Sequence, residues 1–181
     1  MNRRANDNGV TMGVIGYMLT WTTYGSWLHG NTVGSIWKDK KTATTTLIAA
    51  NSKLEEAEQC RLKNKTFRMG SRERDIVLQA VLEVCRFRKW DAYAVHVRKN
   101  HVHAVISAGV RSERTMNDFK VYATRRLREN AVGHLPEKIW TRHGSMRYLW
   151  NERQMAEAIE YVRDQQGQMM AFGRVLAKPR P

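Results

Sequence analysis

The stretch WDAYAVHVRKNHVHAVISA, running from Trp90 to Ala108, decides how this chain folds. Trp90 to Val97 alternates toward a strand, and His101 to Ala108 reads as a second strand. Arg98, Lys99 and Asn100 between them make a tight polar turn, so the two runs form a β-hairpin. Successive side chains on a strand point to opposite faces. Val102, Ala104 and Ile106 therefore supply a buried face, and His101 and His103 stand together on the other.

Working outward, Tyr17 to Thr23 is rich in Thr, Tyr and Trp, residues that suit a strand, and Gly25 and Gly30 mark the turn after it. Ser71 with Glu73 and Arg74 signals a helix start, and Ile76, Val77, Ala80, Val81, Val84 and Cys85 follow at helical spacing. A basic helix is expected over Glu113–Glu129, with Met116, Phe119, Ala123 and Leu127 on its inner side. Pro136 breaks the chain. Trp140 to Trp150 reads as an aromatic and basic connector with a short strand at its end. The last helix, from Glu152 to about Gln166, carries the apolar stripe Met155, Ala158, Ile159 and Val162, and Gly167 stops it.

The order β-α-β-β-α-(β)-α implies an α+β, ferredoxin-like (RRM-like) antiparallel sheet with helices on one face. Residues 1–13 read as a flexible N-terminal arm, 14–170 as one domain, and 171–181 as a C-terminal tail. Within the domain, 31–70 is an insertion or loop region, in which Leu47 to Arg61 has the makings of a short helix.

The 181 residues carry 31 Lys and Arg against 17 Asp and Glu, a formal net charge of +14. That balance attracts polyanions and releases counterions from nucleic acid. Cys60 and Cys85 are too few for a disulfide framework or a cysteine zinc site. The apolar run from Val10 to Leu19 is interrupted by Gly13 and Gly16 and is too short to span a bilayer. No secretion signal is expected, and a cytoplasmic location follows.

A polar pair on one face of an otherwise apolar strand needs a reason. Two imidazoles side by side can share a metal ion, and metal-assisted phosphoryl chemistry fits a basic protein that meets nucleic acid. Two histidines leave the site open. His143 and His96 are further candidate ligands, with His96 the more structural of the two. A carboxamide or carboxylate completes the set more naturally if the ion is Mg²⁺ or Mn²⁺, which favour oxygen. In the last helix Tyr161 and Gln165 lie one turn apart and share a face that borders the apolar stripe. Gln165 can offer its oxygen to the metal held by His101 and His103, while Tyr161 delivers a phenolic nucleophile. Tyr122 and Tyr148 compete for that role, the first read as packing or DNA contact and the second as packing on the sheet.

These elements resemble the HUH-type single-tyrosine transposases, the group of insertion-sequence and REP-associated tyrosine transposases. His101-Val102-His103 matches the H-hydrophobic-H element, and Tyr161 to Gln165 matches Tyr-x-x-x-Gln. Supporting segments are Leu19 to Trp27, Ala123 to Leu127 and Trp140 to Trp150, and the likeness spans about Met18 to Gly167. The resemblance implies a transposase that nicks and rejoins single-stranded or hairpin DNA through a 5′-phosphotyrosine, with Tyr161 as nucleophile. It also implies a divalent metal, Mg²⁺ or Mn²⁺, at His101, His103 and Gln165, and a bacterial, nucleoid-associated setting. Insertion-sequence members commonly act as dimers whose tyrosine helix can serve the partner's metal site, and REP-associated members can act as monomers. A homodimer therefore stays open for this chain.

Lys120, Arg125, Arg126, Arg128 and Arg142 are the expected DNA contacts, with Arg147 and Arg163 adding charge near the site. Such cations grip phosphates without reading sequence. Trp21, Trp27 and Trp37 have rings suited to stacking on unpaired bases, although Trp21 fits the core better. Two alternatives remain: a replication-initiator or relaxase-like HUH nuclease, and a domesticated DNA-hairpin-binding protein without transposition activity.

Overall fold

A computed structural model of the chain describes residues 13–26, 35–38, 45–48, 51, 53, 57, 59–62, 64–131 and 134–176. The N-terminal arm expected over 1–13 falls almost wholly outside them, as do Trp27, Gly30 and the end of the expected tail. Five strands build one antiparallel sheet: β1 (Gly16–Thr23), β4 (Asp91–Val97), β5 (His101–Ser107), β6 (Trp140–Leu149) and β7 (Ala171–Val175). Their order across the sheet is β6-β1-β5-β4-β7. A separate two-stranded sheet pairs β2 (Ser35–Lys38) with β3 (Thr45–Ile48). Leu47 and Ile48, where the sequence allowed a short helix to begin, are thus extended, whereas Lys53, Ala57, Gln59 and Cys60 are helical, and much of the remainder of that stretch lies outside the described residues.

Strand β1 shows how the sequence fixes the faces. Tyr17, Leu19, Trp21 and Thr23 are buried on one side, while Met18, Thr20 and Thr22 are partly open on the other. The first side is the main core. Against it lie α1 (Ser71–Arg88) and α2 (Ser112–Glu129), packed on each other. Helix α1 contributes Val77, Val81, Val84 and Cys85, and α2 contributes Met116, Phe119, Ala123 and Leu127, the stripe anticipated from spacing. Trp21 stacks on Phe119 with ring centroids 5.9 Å apart, so it is a core residue with no face left for a base. Each large apolar side chain buried in this layer contributes about 1.5–3 kcal/mol.

The third helix, α3 (Glu152–Asp164), does not join the other two. The α+β antiparallel sheet is as expected, with two helices sharing one face, and α3 crosses the opposite face. There Met155, Ala158 and Val162 pack on Ala94, Val105 and Leu149. It can do so because both faces of β5 offer apolar side chains: Val102, Ala104 and Ile106 on one, Val105 on the other. Gly16 permits the approach, since a Cβ there would lie 2.5 Å from Met155 Cε and 2.9 Å from the Ile106 carbonyl oxygen.

Two elements differ from the sequence reading. Trp140–Leu149 is not a connector with a short terminal strand but a ten-residue edge strand paired with β1. Residues 171–175, at the beginning of the expected tail, form β7 on the far edge, paired with β4. Among the described residues, no helix is long and apolar enough to cross a membrane.

Candidate active site

The antiparallel register lays a row of side chains across the α3 face. Ser145 is opposite Thr20, Thr20 opposite His103, His103 opposite His96, and His96 opposite Phe172. Directly opposed residues share a face, so this row crosses the whole sheet. His96 is completely buried, and a cavity of about 650 Å³ lies beside His103. Its lining includes Thr20, Asn100, His101, Arg147, Tyr161 and Gln166.

His101 and His103 share a face as strand alternation requires, with ring centroids 4.8 Å apart. Each ring is oriented by a polar partner on its Nδ1. His103 Nδ1 is 2.7 Å from Thr20 Oγ1, and His101 Nδ1 is 2.8 Å from Asn100 Oδ1. With Nδ1 engaged in both rings, Nε2 is the nitrogen each can offer to a ligand. Burial, followed by the Arg98 guanidinium, lowers His101 to a pKa of about 4. Burial, then His101 and His96, lowers His103 to about 4 as well, against the raising effect of a hydrogen bond with Gln166. Both imidazoles are thus neutral at physiological pH, the form that coordinates a cation.

Tyr161 approaches from α3. Its ring stands edge-on to His103 with centroids 5.8 Å apart, and it is 39 % exposed. The other five tyrosines of the chain do not line this cavity. Tyr148 is on the opposite face of the sheet, edge-on to Tyr17 at 5.5 Å, and Ser112 Oγ donates to its hydroxyl. Tyr122 projects from α2, also across the sheet.

The structure places the expected glutamine outside the site. Gln165 is exposed at the C-cap of α3 and does not line the cavity. Its backbone N–H still closes a helical turn on the Tyr161 carbonyl at 3.2 Å, but its side chain stays exposed. The next residue, Gln166, turns inward instead. It hydrogen-bonds His103, and its Nε2 donates to the Tyr161 carbonyl at 3.2 Å. No signal in the sequence distinguishes the two adjacent glutamines.

The other two candidate histidines are placed clearly. His96 is structural: its Nδ1 donates to the Val162 carbonyl at 3.0 Å, and its Nε2 accepts from the Met170 N–H at 3.1 Å. His143 lies in a different cleft, with Arg142 and Lys120. Among the described residues, no cluster of three or more His, Cys, Asp or Glu could hold a metal. The donors that line the cavity beside Tyr161 are two neutral imidazoles, the carboxamides of Asn100 and Gln166, and the hydroxyls of Thr20 and Ser145. This set fits one divalent cation with open positions.

The basic residues expected to grip DNA are also redistributed. Lys120 Nζ is half-buried and donates to the carbonyls of Thr141 at 3.0 Å, Arg142 at 3.4 Å and His143 at 3.2 Å, so it pins the start of β6. Arg125 pairs with Glu129 at 2.7 Å, Arg126 with Glu83 at 2.8 Å, and Arg128 donates to the Glu137 carbonyl at 3.1 Å. These four lie on α2, across the sheet from the histidines, and Arg142 borders the separate cleft. Among the described residues, the cation that lines the cavity is Arg147.

An antiparallel α+β sheet that presents two imidazoles and one phenol to a common cavity has the form of the single-tyrosine HUH class. The model of the IS200-like transposase family matches residues 60–165, more than half of the chain, and the chain belongs to that family of DNA-cleaving enzymes. The chain is also similar to a solved structure of a REP-associated tyrosine transposase bound to a REP hairpin, with 12% sequence identity and a TM-score of 0.47. That likeness covers 91% of this chain and 71% of the other. No curated protein matches the chain.

Proposed function

We propose that the protein nicks and rejoins single-stranded or hairpin DNA at this cavity, with the Tyr161 hydroxyl as nucleophile. The observation that carries the reading is the placement of the Tyr161 ring 5.8 Å from that of His103, at one cavity and within one chain. The phenol oxygen forms a bond to phosphorus, and the bond from phosphorus to the 3′ oxygen breaks. The phenol gives up its proton, the departing 3′ oxygen takes one up, and the 5′ phosphate stays joined to Tyr161. Because the phosphotyrosine is a phosphodiester like the bond it replaced, a 3′-hydroxyl can reverse the step without ATP.

His101 and His103, with the Gln166 oxygen in the place first assigned to Gln165, are the residues that would hold Mg²⁺ or Mn²⁺. Such a cation supplies charge neutralisation and orientation at the phosphate. Thr20 and Asn100 fix the orientation of the two rings. The net charge of +14 supports a polyanionic partner.

The test is a labelled single-stranded oligonucleotide from the DNA flanking the gene, incubated with and without Mn²⁺. A covalent adduct that survives SDS is expected with the native protein. Tyr161→Phe should keep binding and lose the adduct. An adduct that persists in Tyr161→Phe, or that forms undiminished in EDTA, would overturn the assignment. Tight binding with no adduct from the native protein would identify a DNA-hairpin binder instead.

A further inference from the structure

We propose that Arg147 is the phosphate-binding residue of the cavity, gripping a backbone phosphate of single-stranded DNA beside Tyr161. This deepens the reading above and rests on it. The placement comes from register. Arg147 is on β6 opposite Met18, two positions beyond Ser145, which faces Thr20 and, through it, His103. Alternation puts Arg147 on the same face as that row. One strand, β1, separates β6 from the histidine strand, a gap of roughly 10 Å at about 4.8 Å per strand step. The floor between them is Met18 and Thr20, neither of them charged.

Charge makes the case specific. Among the described residues, the cavity lining contains no carboxylate and no second Lys or Arg. Arg147 is thus its permanently charged side chain. It is exposed and forms no ion pair among the described residues. By contrast, Arg88, Arg125, Arg126, Arg153 and Arg163 each hold a carboxylate. A guanidinium can bind two phosphate oxygens at once, which fixes the phosphate's orientation as well as its position. Located on the edge strand and lining the same cavity as the phenol, it would hold the DNA strand while Tyr161 reaches the phosphorus.

The probe is a fluorescein-labelled hexathymidylate, titrated by anisotropy at several salt concentrations without added metal. Arg147→Gln should weaken binding about 10- to 100-fold, as expected for a lost charge-assisted contact. The slope of log affinity against log salt should fall by about 0.7, the value for one contact on a single strand. Arg147→Lys should restore the slope but not the full affinity. Arg153→Gln removes the same charge from an ion pair at the start of α3 and should change affinity less than about twofold. Equal losses in Arg147→Gln and Arg153→Gln, or an Arg147→Gln affinity within about twofold of native, would overturn the proposal.

The adduct assay separates the two readings. If native protein forms the adduct and Arg147→Gln forms it at the native rate, the Arg147 assignment fails alone. If native protein forms none while hexathymidylate binding still depends on Arg147, the phosphate site stands and the chemistry fails.

Discussion

His96 offers the sharpest quantitative check, because it holds the cavity together without lining it. Its ring joins two backbone groups on either side of Gln166: the Val162 carbonyl in α3 and the Met170 N–H just before β7. Replacing it with leucine keeps most of the buried volume and removes both bonds. A buried polar group left without a partner costs about 1–3 kcal/mol. Two such groups set the loss at about 2–6 kcal/mol, a large part of the roughly 5–15 kcal/mol that stabilises a typical domain. For a protein of this size, at about 2–4 °C per kcal/mol, the melting temperature should fall by about 4–24 °C. Urea unfolding measures the free energy and scanning fluorimetry the temperature. Mn²⁺ affinity should fall in parallel, because the segment bearing Gln166 loses its anchors. A His96→Leu protein that melts within about 1 °C of native would show that the two backbone groups find other partners, and the reasoning would be wrong.

The two adjacent glutamines make a paired comparison. Gln166→Ala should weaken Mn²⁺ binding by about 10- to 100-fold, while Gln165→Ala should leave it within about twofold, both read by calorimetry. The reverse ranking would restore the glutamine expected from the sequence. The depressed pKa values of His101 and His103 set a pH dependence of stability. Each is lowered from 6.5 to about 4 in the folded chain, so between those values the unfolded chain binds more protons. Stability is therefore greatest above pH 6.5 and is lost as pH falls toward 4. The urea midpoint should drop across that window, and a His101→Gln, His103→Gln double variant should show a shallower drop.

Much of the fold was legible because core positions repeat. The Val102, Ala104 and Ile106 face, the α2 stripe and the α3 stripe are each set by local periodicity, and all are buried as their spacing requires, Ile159 in part. Strand β6 was obscured because it lies at an edge. Its sequence WTRHGSMRYL alternates partly exposed and exposed residues between two buried ends, so little apolar rhythm survives. The histidine pair and Tyr161 could be found from short-range spacing. Thr20 could not be tied to them, and Arg147 was expected only as nearby charge, because register across three strands is a property of the assembled sheet. Gln166 was missed for a narrower reason: the side chain that turns inward is the one just past the C-cap of α3, and Gln165 and Gln166 are chemically the same.

Strand β7 has a consequence for where the helix bearing Tyr161 can go. Helix α3 is fastened at both ends, by β6 before it and by β7 after it, and these strands occupy opposite edges of one sheet. A tyrosine helix that swung away to serve another copy would have to strip β7 from β4 or carry that strand along. Exchange of this helix between copies would therefore disturb β7 as well, and would register as a loss of amide protection at β4 along with the helix.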